Sequence, residues 1–62
     1  MEKFWHSVTY NLPPENQIVW TKIWDGDGER NVTRLKRIGN LWFYPEGDMY
    51  VYYRPTHWCS EE

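Results

Sequence analysis

The sequence predicts an all-β fold, a small four-stranded antiparallel meander sheet whose N- and C-terminal segments close one face. Short segments rich in Ile, Val, Thr, Trp and Tyr recur along the chain, and these residue types are enriched in strands. Clusters of Gly, Pro, Asp and Asn separate them at regular intervals, as turns do. The length of 62 residues is that of one small domain, 1–62.

Each predicted strand lies between two turn signals. Pro13-Pro14 ends the opening segment 4–12, because proline fixes φ and lacks a backbone donor. The predicted turns are Asp25-Gly26-Asp27-Gly28, Gly39-Asn40 and Pro45-Glu46-Gly47-Asp48, and Pro55 ends the last strand. The predicted strands are therefore 17–24, 29–38, 41–44 and 49–54. A helix over 29–38 is disfavoured by the β-branched pair Val32-Thr33.

Turn lengths predict which side chains share a face of this sheet, because residues opposite each other point the same way. We pair Trp24 with Glu29, Ile38 with Leu41, and Tyr44 with Met49. One face then collects a core of Ile18, Trp20, Trp24, Leu35, Trp42, Tyr44, Met49, Val51 and Tyr53, closed by Trp5, Val8, Leu12 and Trp58. One β-bulge would exchange residues between the two faces.

The second face is the candidate binding surface, since it mixes flat rings with cations. It collects Val19, Ile23, Val32, Phe43, Tyr50 and Tyr52 together with Arg30, Arg34, Lys36 and Arg54. Aromatic and Arg side chains dominate protein–protein hot spots, and the same groups can stack bases and bind phosphate. The predicted binding residues are Arg34, Lys36, Phe43, Tyr50, Tyr52 and Arg54. The alternative is that a dimer partner or the chain termini cover this face.

The acidic turns form a second candidate surface, with Asp25, Asp27 and Glu29 in one and Glu46 and Asp48 in another. Their carboxylates would present a phosphate-like pattern to a DNA-binding host protein. The formal net charge of -2 itself argues against direct, sequence-specific binding of nucleic acid by this protein.

Metal binding and catalysis find little support in the residues. His57, Cys59 and His6 do not make the paired spacings of a zinc site, and the Asp-Gly repeat lacks the late Glu of a calcium loop. No activated nucleophile or Gly-rich phosphate loop is present. We therefore expect a protein that is not an enzyme, with no cofactor and no metal.

Cellular location is predicted from what the sequence lacks. The start Met1-Glu2-Lys3-Phe4 has no apolar stretch of a secretory signal, and no apolar run approaches a membrane span. A lone cysteine fits a reducing compartment. We expect a cytoplasmic protein with no membrane partner, either a monomer or a homodimer.

Both ends of the chain resemble a family of short phage and prophage proteins, a domain-of-unknown-function family. The start reads Trp5-His6-Ser7-Val8 and continues to Leu12-Pro13, and the end reads Thr56-His57-Trp58. Family members open with Trp-x-Ser-Val, continue through Leu-Pro, a Val-rich strand and an Asp-Gly turn, and close on Thr-His-Trp. This chain departs after that motif, where Cys59-Ser60-Glu61-Glu62 replaces the family's Met-Pro-Leu-Pro.

The resemblance implies a setting inside a bacterial host cell. There we expect a non-enzymatic accessory protein that binds a host protein or protein complex and inhibits a bacterial defence system, as anti-CRISPR proteins do. The alternative is a protein that sequesters a nucleotide-like immune signal between its rings and arginines. A second alternative is a small structural or oligomerisation module.

Overall fold

The computed structural model describes residues 4–60, which form one antiparallel sheet of six strands and no helix. The strands are β1 (His6–Ser7), β2 (Ile18–Trp24), β3 (Glu29–Ile38), β4 (Leu41–Phe43), β5 (Tyr50–Val51) and β6 (His57–Ser60). Their order in the sheet is β1-β6-β2-β3-β4-β5. The all-β prediction is confirmed. Within this part of the chain there is no helix long and apolar enough to cross a membrane.

The sheet has two more strands than the four predicted, because both terminal segments join it. β6 pairs with the free side of β2, where Trp20 lies opposite Cys59, and β1 pairs with β6. Each pairing satisfies backbone groups that would otherwise form an open sheet edge. The outermost residues used in the sequence analysis, Met1-Glu2-Lys3 and Glu61-Glu62, lie outside the described residues.

All three predicted hairpin closures are confirmed. Trp24 lies opposite Glu29 and Ile38 lies opposite Leu41. The Tyr44 amide donates to the Met49 carbonyl at 2.9 Å. Gly39 has a φ of 62°, the left-handed conformation that a two-residue hairpin turn requires of its first residue.

A β-bulge changes the register between β2 and β3. Starting from the turn between β2 and β3, Ile23 pairs with Arg30 as predicted. The next pair is Thr21 with Thr33. One residue of β2, Lys22, is thus opposed by two residues of β3. One of these is Asn31, whose φ of 57° is left-handed. Beyond the bulge the predicted pairing is wrong by one residue.

Because the extra residue of the bulge lies on β3, β2 keeps its alternation, and the whole strand, Ile23 and Trp24 included, faces the opposite way from the prediction. Trp20 lies opposite Arg34 rather than Thr33, and Ile18 lies opposite Lys36 rather than Leu35. Val19 takes their place in the core, opposite Leu35, and both Val19 and Leu35 are fully buried. The assignment of Ile18 and Trp20 to the core, and of Val19 to the second face, is therefore wrong.

The buried core consists of Val19, Leu35, Trp42, Val51 and Trp58, with Val8 and Tyr53 packed against it. Three other predicted core residues are exposed, because they lie at or beyond the ends of the strands. Trp24 ends β2, and Tyr44 and Met49 form the turn between β4 and β5. Leu12, predicted to close the core, is also exposed.

The segment between β1 and β2 covers the core side of the sheet. The Trp58 indole Nε1–H donates to the Asn11 carbonyl at 2.7 Å. The Arg37 guanidinium, opposite Trp42, donates to the carbonyl of the buried Pro13 at 2.9 and 3.2 Å. The extended proline segment therefore covers the core side of the sheet.

Strand β3 has 10 residues and is longer than both of its neighbours, β2 with 7 and β4 with 3. β2 pairs with it from Glu29 to Lys36, whereas β4 pairs only with its last three residues, Lys36, Arg37 and Ile38. Among the described residues, no strand pairs with residues 29–35 on the β4 side.

Candidate binding face

The sheet face opposite the core carries a continuous row of rings and a cation, and we call it the aromatic–basic face. Its residues are Ile18, Trp20, Arg34, Lys36, Phe43, Tyr50 and Tyr52. One row crosses four strands, since Lys36 lies opposite both Ile18 and Phe43, and Phe43 lies opposite Tyr50. Opposed residues in antiparallel strands project to the same side, so these side chains are neighbours.

The aromatic end of the row is a chain of ring contacts. The Phe43 and Tyr50 ring centroids lie 5.5 Å apart at 58°, and those of Tyr50 and Tyr52 lie 5.6 Å apart at 69°. Tyr52 is 94% exposed and Tyr50 is 40% exposed. Tilted and edge-on rings support one another while leaving the last ring in solvent. The row thus ends in a large, accessible tyrosine whose neighbours hold it from one side.

The two cations of this face differ in their surroundings. Lys36 is half-buried between Ile18 and Phe43, and its alkyl stem adds apolar area to the row. Arg34 is exposed and lies opposite Trp20 on the neighbouring strand. Each cation is thus placed beside apolar or aromatic surface, an arrangement also found in protein–protein hot spots.

Five of the six predicted binding residues share this face, and Arg54 lies beside it. Arg54 follows the end of β5 and lines a shallow cavity of 190 Å³ together with Tyr50 and Tyr52. Arg54 also lines a second, larger groove on the other side of the chain's C-terminal segment. The structure therefore places Arg54 between two surfaces.

Sequence reasoning missed Ile18 and Trp20 as members of this face. Both were assigned to the core, because the alternation of residue types along the sequence does not show where a bulge shifts the register between two strands. Asn31 was the one available signal, since asparagine tolerates the left-handed conformation better than other residues with a side chain. Arg30, predicted for this face, instead contacts Asp25 at 2.8 Å.

The acidic turn at 25–29 is largely paired with cations. Asp25 contacts Arg30 and also accepts the Asp27 amide at 3.1 Å. Glu29 contacts Lys22 at 2.6 Å. These pairs reduce the negative potential that phosphate mimicry needs. Glu46 and Asp48 are exposed in the turn before β5.

Lys22 is buried at one end of the aromatic–basic face. Its side chain is 9% exposed, and Nζ lies 4.2 Å from the centroid of the Trp5 ring in addition to its contact with Glu29. A buried ammonium is stable only when it is paired in this way. Trp5 and Glu29 therefore close this end of the face, and the accessible part lies toward β4 and β5.

Metal-ligating side chains do not gather in the part of the chain that is described. No group of three or more His, Cys, Asp or Glu suited to a metal occurs there. His6 lies against Trp58 with ring centroids 4.5 Å apart, on the opposite side of the sheet from His57. Cys59, the one cysteine of the sequence, is buried.

No protein-family model matches this chain, and comparison with curated proteins and with solved structures gives no significant match. The site must therefore be interpreted from its own geometry and chemistry.

Proposed function

We propose that this protein is a non-enzymatic binding protein that docks the aromatic–basic face onto a partner protein. The observation that carries the proposal is the row from Lys36 through Phe43 and Tyr50 to Tyr52, on the side of the sheet that the proline segment leaves uncovered. Exposed rings in a contiguous patch are costly in water, and a partner that buries them recovers that cost.

A protein partner fits the geometry of this face better than a base held between two rings. Neighbouring rings meet at 58° and 69°, so no two of these contacting rings form a parallel slot into which a base could slide. A protein surface instead needs one anchor that can enter a pocket, surrounded by side chains that exclude water. Tyr52 is that anchor. Tyr50 contacts it, and Phe43 and Lys36 continue the row behind Tyr50.

The resemblance to short phage and prophage proteins gives this proposal its biological setting. In that setting the protein acts in the cytoplasm of a bacterial host, and its partner is a host protein or complex. Blocking a defence system by occupying such a surface requires no catalytic group, which agrees with a small chain built around a single sheet. We propose this anti-defence role as the consequence of docking.

The test compares two tyrosines whose side chains are exposed to a similar extent. Immobilised wild type, Tyr52→Ala and Tyr10→Ala proteins are incubated with host lysate, and captured proteins are identified and then measured as purified components. Tyr52 is 94% exposed and Tyr10 is 89% exposed, but only Tyr52 contacts the row. We expect one host protein to bind wild type and Tyr10→Ala, and to lose about 2 kcal/mol or more of binding free energy with Tyr52→Ala.

Two results would contradict the proposal. One is equal binding by both variants, which would place the interface elsewhere on the surface. The other is failure of wild type to retain any host protein. A further check is a salt titration with the purified partner, because the Lys36 contribution weakens as ionic strength rises.

A further inference from the structure

A groove of 720 Å³ lies where the two ends of the chain meet, and it shares Arg54 with the smaller cavity beside Tyr50 and Tyr52. The end of β2, the segment after β1 and residues 54–57 form its walls. Its volume is within the range of small-molecule sites, about 300–1,000 Å³. Its lining includes Arg54, and none of the residues between 4 and 60 that line it is acidic. The groove is therefore large enough for a small ligand and suited by charge to an anion.

The floor of the groove is fixed by hydrogen bonds to one residue, Thr56. Its Oγ1 accepts the Trp24 amide at 2.8 Å and lies 2.8 Å from His57 Nδ1. Its backbone amide donates to the Lys22 carbonyl at 2.9 Å, and its carbonyl accepts the Val8 amide at 2.9 Å. Thr56 thus joins three parts of the chain and fixes His57 through Nδ1, which orients Nε2 as the remaining polar atom of the ring.

One wall of the groove offers an exposed aromatic surface. Trp24 is 50% exposed and contacts His57 edge-on, with ring centroids 5.9 Å apart at 82°. Leu12, also on the groove, is 43% exposed. These two large apolar side chains offer a flat apolar group a surface on which to pack.

Hydrogen-bond donors line the rest of the groove. Arg54 is an exposed guanidinium with a forked set of donors, and the hydroxyls of Ser7 and Thr9 are also in the lining. A guanidinium and two hydroxyls in one groove suit a phosphate group, which has three acceptor oxygens and two negative charges, better than a single carboxylate. Trp24 supplies the ring surface, and Arg54 with the hydroxyls supplies the anion site.

We infer that this groove is a binding site for a phosphate monoester that carries an aromatic ring, of mononucleotide size. The ring lies against Trp24 and Leu12, and the phosphate is bound by Arg54. This inference does not rest on the proposed docking function, because the docking anchor Tyr52 is not among the described residues that line this groove, although Arg54 lines both cavities.

The experiment is a titration of the full chain with AMP, followed by NMR of the backbone amides and the Trp indole groups. Adenosine and inorganic phosphate are titrated separately. We expect saturable shifts at Trp24 and Thr56 with AMP, and binding weaker by about tenfold or more for either half of the ligand. Trp24→Leu and Arg54→Gln should each weaken AMP binding about tenfold or more, since both side chains are solvent-exposed and their removal leaves the core intact.

Tyr52→Ala is the matched control, and it should change AMP affinity less than twofold, an effect within about 0.5 kcal/mol. Absence of saturable shifts at millimolar AMP would overturn the inference. Equal affinity for adenosine and AMP would overturn the phosphate site, and equal affinity for inorganic phosphate and AMP would overturn the ring site. Loss of host-protein capture by Tyr52→Ala with retained AMP binding would show that the two surfaces act separately.

Discussion

Replacing Trp42 with alanine tests the core directly. Trp42 is 3% exposed and lies between Arg37 on β3 and Val51 on β5, so it joins three strands. Removing a buried Trp side chain costs about 3–5 kcal/mol. Domains of this size have a free energy of unfolding of about 3–9 kcal/mol. We therefore expect Trp42→Ala to lose most or all of its stability.

The assay is urea unfolding followed by fluorescence of the remaining tryptophans. With a slope of about 1 kcal/mol per M, the midpoint should fall by about 3–5 M. Trp42→Phe keeps a ring in the same place and should lose less. Tyr52→Ala, whose side chain is in solvent, should stay within about 0.5 kcal/mol of wild type. A cooperative transition for Trp42→Ala within about 1 M of the wild-type midpoint would refute this description of the core.

Two further predictions concern β3 and its neighbour Tyr53. Burial, followed by the charge of Tyr44, raises the pKa of Tyr53, so the unfolded chain loses this proton first and stability falls as pH rises above about 10. Tyr53→Phe should lose less stability than wild type between about pH 9 and 11 by urea unfolding, and an identical loss would exclude this cause. At the bulge, Asn31→Val should cost about 1–2 kcal/mol more than Asn31→Gly, because a β-branched residue resists the left-handed φ of 57°. Equal midpoints for these two variants would show that the bulge does not hold this conformation in solution.

Local signals in the sequence predicted the hairpins well. Gly39-Asn40 fixes a two-residue turn, and that turn alone places Lys36 opposite Phe43. The pairing of Phe43 with Tyr50 follows from the next turn in the same way. The basic and tyrosine part of the candidate site could therefore be predicted, because each step depends on residues close together in the chain.

Features that depend on distant residues could not be predicted. Pairing of Trp20 with Cys59 joins positions far apart in sequence, and no local pattern marks it. The bulge at Asn31 places Ile18 and Trp20 on the face opposite to the predicted one. Isoleucine and tryptophan are both common in ordinary strands, so the residue types gave no sign of this. The groove has the same origin, since Trp24 and Thr56 meet only after β6 joins the sheet.

The unpaired side of β3 bears on how the protein behaves at high concentration. Residues 29–35 present a row of backbone donors and acceptors there, and such a row can pair with its copy in a second molecule and nucleate aggregation. The bulge at Asn31 interrupts the straight run, and a bulge is one of the devices that prevent pairing at a sheet edge. Pairing between two copies at this edge is therefore limited to the short stretches on either side of Asn31, and a substitution that removed the bulge would lengthen the straight edge.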